Sequence, residues 1–105
     1  MNPQRSYRTL MQTVAQDIGA EGELGMVESR EKLLLQADRP VTNFGFFTPL
    51  DSQLQQASDW LSHGENRWLL MPGEASEQCR STEGKVDLGG KHRPNWVLVT
   101  ACVFP

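Results

Sequence analysis

Leu54-Gln55-Gln56-Ala57-Ser58-Asp59-Trp60-Leu61 and, beyond Gly64, Arg67-Trp68-Leu69-Leu70-Met71-Pro72-Gly73 together decide the fold. In the first stretch Leu54, Ala57 and Leu61 recur at three- and four-residue intervals, with Trp60 adjacent. That is the apolar stripe of an amphipathic helix. Pro49-Leu50-Asp51 opens the helix, Asp51 is its expected cap, and Gly64 ends it. The second stretch is continuously apolar, as in a strand covered on both faces, and Pro72-Gly73 closes it. A helix leading into a doubly covered strand is one step of an α/β alternation.

The same alternation extends toward the N-terminus. Ser6 can cap a helix running to Ile18, in which Leu10, Val14 and Ile18 form a stripe with Met11 and Ala15 beside them. Gly19 stops it by taking the left-handed conformation. Glu23 to Val27 reads as a buried strand. Ser29 can cap a short helix carrying Leu33, Leu34 and Leu35, with Glu28 and Glu31 favourably placed at its start, and Asp38-Arg39-Pro40 breaks it. Val41 to Phe47 is β-branched and aromatic, hence a second strand.

Toward the C-terminus, Ala75 to Cys79 fits one helical turn and Lys85 to Leu88 a short strand. Gly89-Gly90 is a turn, and Asn95 to Val103 is the last strand. There Trp96, Leu98 and Thr100 face one way, Val97, Val99 and Ala101 the other. The fold class expected is α/β. The architecture is a three-layer sandwich with a mostly parallel five-stranded sheet, about three helices, right-handed crossovers and an antiparallel edge.

The chain has 105 residues, the size of one domain. With 38% hydrophobic and 22% charged residues it is an ordinary globular composition, not a disordered one. A net charge of -3 argues against a nucleic-acid partner, because tracking phosphates needs a basic excess. No apolar run approaches the ~20 residues of a membrane span. Met1-Asn2-Pro3-Gln4-Arg5 leads into no apolar stretch, so it is not read as a signal peptide. By itself the chain reads as cytoplasmic, unless it was cut from something larger.

Few residues suggest chemistry. Gly19, Gly22 and Gly25 do not make the dinucleotide fingerprint, and they follow a helix rather than a strand. There is no GxSxG elbow. His63 at a helix end suits the helix dipole when cationic. Cys79 and Cys102 fit no zinc spacing. They read as two buried or half-buried thiols, with a disulfide as the alternative in an oxidising compartment. Cys79 with His92 could act as nucleophile and base only if the fold brought them together. Asp38-Arg39 and Glu28 to Lys32 read as surface charge. Trp60, Trp68 and Trp96 are explained by core packing, and an exposed one would mark a docking face. No cofactor, metal ligand set or catalytic residue is expected. The carboxyl ends of the strands, at Gly45-Phe46-Phe47-Thr48 and Pro72-Gly73-Glu74, are where an open sheet would bind a ligand.

A resemblance runs through much of the chain. It rests on Glu23-Leu24-Gly25-Met26-Val27, Glu31-Lys32-Leu33-Leu34-Leu35 and Arg39-Pro40-Val41-Thr42-Asn43-Phe44-Gly45. It continues through Trp60-Leu61, Arg67-Trp68-Leu69-Leu70, Cys79, Leu88-Gly89, Arg93 and Trp96-Val97-Leu98-Val99. In this order they resemble the C-terminal soluble domain of bacterial GT-C glycosyltransferases. Those are membrane enzymes related to aminoarabinose transferase and to dolichyl-phosphate-mannose protein mannosyltransferases. The chain departs from the family pattern near Ser29 and at Arg80, where aromatic residues are expected, which leaves the sugar open. The resemblance implies an accessory domain on the periplasmic face of the inner membrane, with Met1 an expression start. Its partner would be the transmembrane portion of its parent, which carries the catalytic carboxylates and uses a polyprenyl-phosphate sugar donor. The alternative is a free-standing cytoplasmic module that binds a small ligand or a protein.

Lys91-His92-Arg93 is the one basic cluster, between the Gly89-Gly90 turn and Pro94. It is either a solvated loop or a contact for an anionic lipid or a lipid-linked sugar phosphate. Each cation near an anionic surface contributes about 1 kcal/mol, screened by salt. The expected outcome of the second reading is weak binding to anionic vesicles in a sedimentation assay, weaker at high ionic strength. Lys91→Ala with Arg93→Ala should reduce it while changing stability by no more than ~0.5 kcal/mol. Equal binding by variant and parent would assign the cluster to the solvated loop.

Overall fold

A computed structural model of the chain describes residues 3–28, 34–35, 37, 39–45, 48–84, 86–87 and 96–104. The elements in chain order are α1 (Pro3–Ile18), β1 (Glu23–Met26), β2 (Val41–Asn43), α2 (Leu50–Ser62), β3 (Arg67–Pro72), α3 (Gly73–Ser76), β4 (Ser81–Glu83), β5 (Val86–Asp87), β6 (Trp96–Val99) and β7 (Ala101–Val103). The fold is mixed α/β, with three helices among the described residues. The main sheet has the order β2-β1-β3-β6-β5, and β4 pairs with β7 in a separate antiparallel ladder.

The main sheet is mixed and not mostly parallel. β1 pairs in parallel with β2 and with β3, whereas β3–β6 and β5–β6 are antiparallel. The physical reason lies in the connections. A parallel neighbour needs a crossover of a dozen or more residues, usually helical, and α2 supplies one between β2 and β3. Among the described residues between β3 and β6 the only helix is the four-residue α3, too short to carry the chain back across the sheet, and β6 runs the other way. β5, two residues long, adds a short ladder to the outer side of β6.

The helices meet the sheet as the stripes require. Met11, Val14 and Ile18 of α1 are buried with Leu24, Met26, Leu70, Trp96 and Leu98 in one cluster. Leu54, Ala57 and Leu61 of α2 are buried with Val27, Leu69, Met71, Val97 and Val99 in the other. Side chains alternate across a strand, so Leu70 faces one core and Leu69 and Met71 the other. Gly19 has φ +82° and its N–H bonds the carbonyl of Ala15, closing α1 as a glycine cap does.

Four further expectations are corrected. Ser6 does not cap α1 but lies inside it, the helix beginning at Pro3. Asp51 does not cap α2. Pro49 stands at the cap position, and the Asp51 carboxylate accepts the N–H of Ser52 within the first turn. The segment read as one last strand is broken at Thr100, where the chain leaves β3 and pairs with β4 instead. Thr100 binds the carbonyl of Glu83 through both its N–H and its hydroxyl, at 2.8 and 3.1 Å, which fixes the corner. Finally, Cys79 and Cys102 are not two thiols but a disulfide, with their Cα atoms 5.5 Å apart. Both sulfurs lie in the α2-side core. The Ser29 helix, Phe46-Phe47 and the Gly89-Gly90 turn include residues outside those described.

The bond closes a loop with a sequence separation of 23, which the chain-entropy model equates with about 3 kcal/mol of stability. Cys79→Ser with Cys102→Ser should lower the urea midpoint accordingly and raise the m-value, because the unfolded chain is freed to expand. An unchanged midpoint would show that the closure adds nothing.

Candidate functional site

The built features lie along α2, on the side facing β1 and β2. Gly25 in β1 is the starting point. A Cβ placed there would come within 3.0 Å of Trp60 and 3.1 Å of Phe44, so the missing side chain is what lets both rings settle on the strand. The rings meet edge-on, with centroids 5.8 Å apart and an interplanar angle of 69°, a favourable aromatic geometry. The Arg67 guanidinium lies over the Trp60 ring, 4.9 Å from its centroid. It also donates to the Trp60 carbonyl at 2.6 Å and to the Glu23 carboxylate at 3.0 Å.

Beside these rings runs an open groove of about 470 Å³. Phe44 and Trp60 give it apolar wall. Thr42 and Asn43 of the edge strand β2 stand on one side, Gln56 and Asp59 of α2 on the other. His63 closes one end. Gln56, Trp60 and His63 lie three and four residues apart, so they share a helix face. The His63 ring lies 2.7 Å from the Asp59 carbonyl and 3.4 Å from the Asp59 carboxylate, both side chains being mostly exposed.

At the other end of α2 the sheet's carboxyl ends are tied to the helix. Gln53 is 2% exposed, one of two buried polar residues among those described. Its Oε1 accepts the Glu28 N–H at 2.9 Å, and its Nε2 donates to the Thr48 carbonyl at 2.8 Å and to the Glu28 carboxylate at 3.3 Å. Glu28 has φ +58°, a conformation rare outside glycine, held by these bonds.

Of the residues expected to form a site, Lys91, His92, Arg93, Phe46 and Phe47 lie outside the described residues. Gly45 and Thr48 do not face Pro72-Glu74 across one crevice, because β1 lies between β2 and β3. The direction of chain progress reverses about β1, so the crevice position falls at Val27-Glu28 and Pro72-Gly73. Cys79 is spent on its disulfide and offers no thiolate. Among the described residues no group of three or more His, Cys, Asp or Glu side chains could hold a metal ion, and no helix is long and apolar enough to cross a membrane. Sequence reading did not single out Gln53, and it weighed Gly25 only as part of a glycine spacing that makes no dinucleotide fingerprint. The only signal was a glutamine one residue before the apolar stripe and a glycine inside a strand, the latter a known sign of close approach.

Compared with protein-family models, curated proteins and solved structures, the chain matches none of them.

Gln53→Ala removes three hydrogen bonds and strands two backbone groups. Each such group costs about 1–3 kcal/mol when buried. Equilibrium denaturation should show a loss in that range, with larger amide-exchange rates at Glu28. A loss below ~0.5 kcal/mol, the size of a neutral surface change, would mean that water replaces the amide without cost.

Proposed function

We propose that this chain is a non-catalytic accessory domain, the extracytoplasmic C-terminal part of an integral-membrane glycosyltransferase that uses a polyprenyl-phosphate sugar donor. The supporting observation is the Cys79–Cys102 bond, buried inside the domain core. Disulfides of this structural kind persist in oxidising compartments and are rare in the cytosol. That favours the periplasmic reading over a free-standing cytoplasmic module. The resemblance of Glu23-Val27, Arg39-Gly45 and Trp96-Val99 to the C-terminal domains of GT-C enzymes supplies the parent's class. In finer detail we read the scaffold as a three-layer sandwich, with α1 and α2 on opposite faces of a five-stranded sheet. In this setting Lys91-His92-Arg93 is the contact for anionic lipid or for the donor's phosphate, and the transmembrane portion is the partner.

The deciding measurement is the native reading frame. A multi-span hydrophobic region encoded upstream of Met1 is the expected result. A native frame that starts at Met1 would overturn the proposal and leave the ligand- or protein-binding module in its place.

A further inference from the structure

We infer that the β4–β7 ladder is a strap fastened over α2 by the Cys79–Cys102 bond, and that a dithiol reductant unfastens it without unfolding the five-stranded sheet. The ladder stands apart from that sheet and consists of the pairs Ser81–Val103, Thr82–Cys102 and Glu83–Ala101. Two strands alone are marginally stable in water, so the ladder depends on what it packs against. It brings little to that packing. Cys102 is its only buried residue, and Ser81, Glu83 and Val103 are exposed. Just past the ladder, Phe104 rests partly buried against the α2-side core. The buried anchor of the strap is thus one half of the disulfide itself.

The other half belongs to the body of the domain. Cys79 follows α3, whose Ala75 and Ser76 are buried and which lies against β3 and β6, whereas β7 lies against α2. The bond therefore ties a lightly packed strap to a well-packed body. The Arg80 N–H to the Val103 carbonyl and the Thr100 corner on the Glu83 carbonyl hold one side of the strap to the other, not the strap to the main sheet. The main sheet has its own support, since Leu69, Leu70, Leu98 and Val99 lie in cores built largely by α1, α2 and the strands themselves. In the reduction a dithiol gives up two hydrogens and becomes a disulfide, while Cys79 and Cys102 take them up as two thiols. The opened strap uncovers part of the α2-side core, an apolar surface hidden while the bond is intact, and reoxidation closes it again. The inference goes beyond the accessory role and holds whatever precedes the chain, so the reading-frame test does not decide it.

The test is amide hydrogen exchange followed by NMR on the 105-residue chain, oxidised and after excess dithiothreitol, with alkylation counting the thiols set free. The readout is the exchange rate of the Arg80 and Thr100 amides, whose hydrogen bonds close the strap, divided by that of the Leu69 and Leu70 amides in β3. Reduction should raise this ratio about tenfold or more, because the strap then opens locally while β3 exchanges only on wider unfolding. A general loss of stability would raise both rates and leave the ratio as it was. Cys79→Ala with Cys102→Ala should reproduce the reduced ratio. Thr100→Val in the oxidised chain removes the hydroxyl bond at the corner and should change the ratio by no more than about threefold, since the disulfide still fastens the strap. Four results would each overturn the inference. They are strap and sheet amides accelerating together, a strap still protected after reduction, a bond that dithiothreitol reaches only once denaturant has unfolded the sheet, and release of the strap by Thr100→Val alone.

Discussion

Everything else in this domain depends on β3 being covered on both faces. Leu69, Leu70 and Met71 are fully buried, and they alternate between two separate cores. At roughly 1.5–3 kcal/mol for each buried side chain, exposing all three would cost about 4.5–9 kcal/mol, comparable to the whole stability of a small domain. A strand with that demand needs a parallel or antiparallel neighbour on each edge and a helix over each face. β1 and β6 meet the first need, α1 and α2 the second.

That demand is legible in sequence, because a continuous apolar run flanked by helical stripes has few other solutions. Trp96 and Leu98 do fall in one core and Val97 and Val99 in the other, as the alternation of the last segment implies. Strand direction is less legible. Nothing local in Trp96-Val97-Leu98-Val99 says whether it runs with or against β3, since buried strands of either sense look alike. The connection decides, and its short α3 is weak as a sequence signal. The corner at Thr100 is hidden for a similar reason. Thr100 is an ordinary strand residue by propensity, and its role comes from a partner seventeen positions away, the Glu83 carbonyl.

The disulfide follows from that corner. Because β7 leaves the main sheet to pair with β4, Cys102 comes over the chain that has just left α3, beside Cys79. The Arg80 N–H bonds the Val103 carbonyl at 2.7 Å, so the ladder begins at the residue after the bridge. Two cysteines alone did not reveal a pair. Their meeting required a strand switch that neither residue announces.

The candidate groove owes its shape to α2 being anchored at both ends. At the N-terminal end Gln53 joins the helix to Glu28 and Thr48. At the C-terminal end Arg67 joins it to Glu23 through the Trp60 carbonyl and ring. Each anchor satisfies backbone groups that an apolar side chain would leave unpaired, and each fixes the helix against a different strand end. A helix tied at both ends in this way keeps Trp60 and Phe44 packed edge-on over Gly25, the one position of β1 where a side chain would push them off the strand.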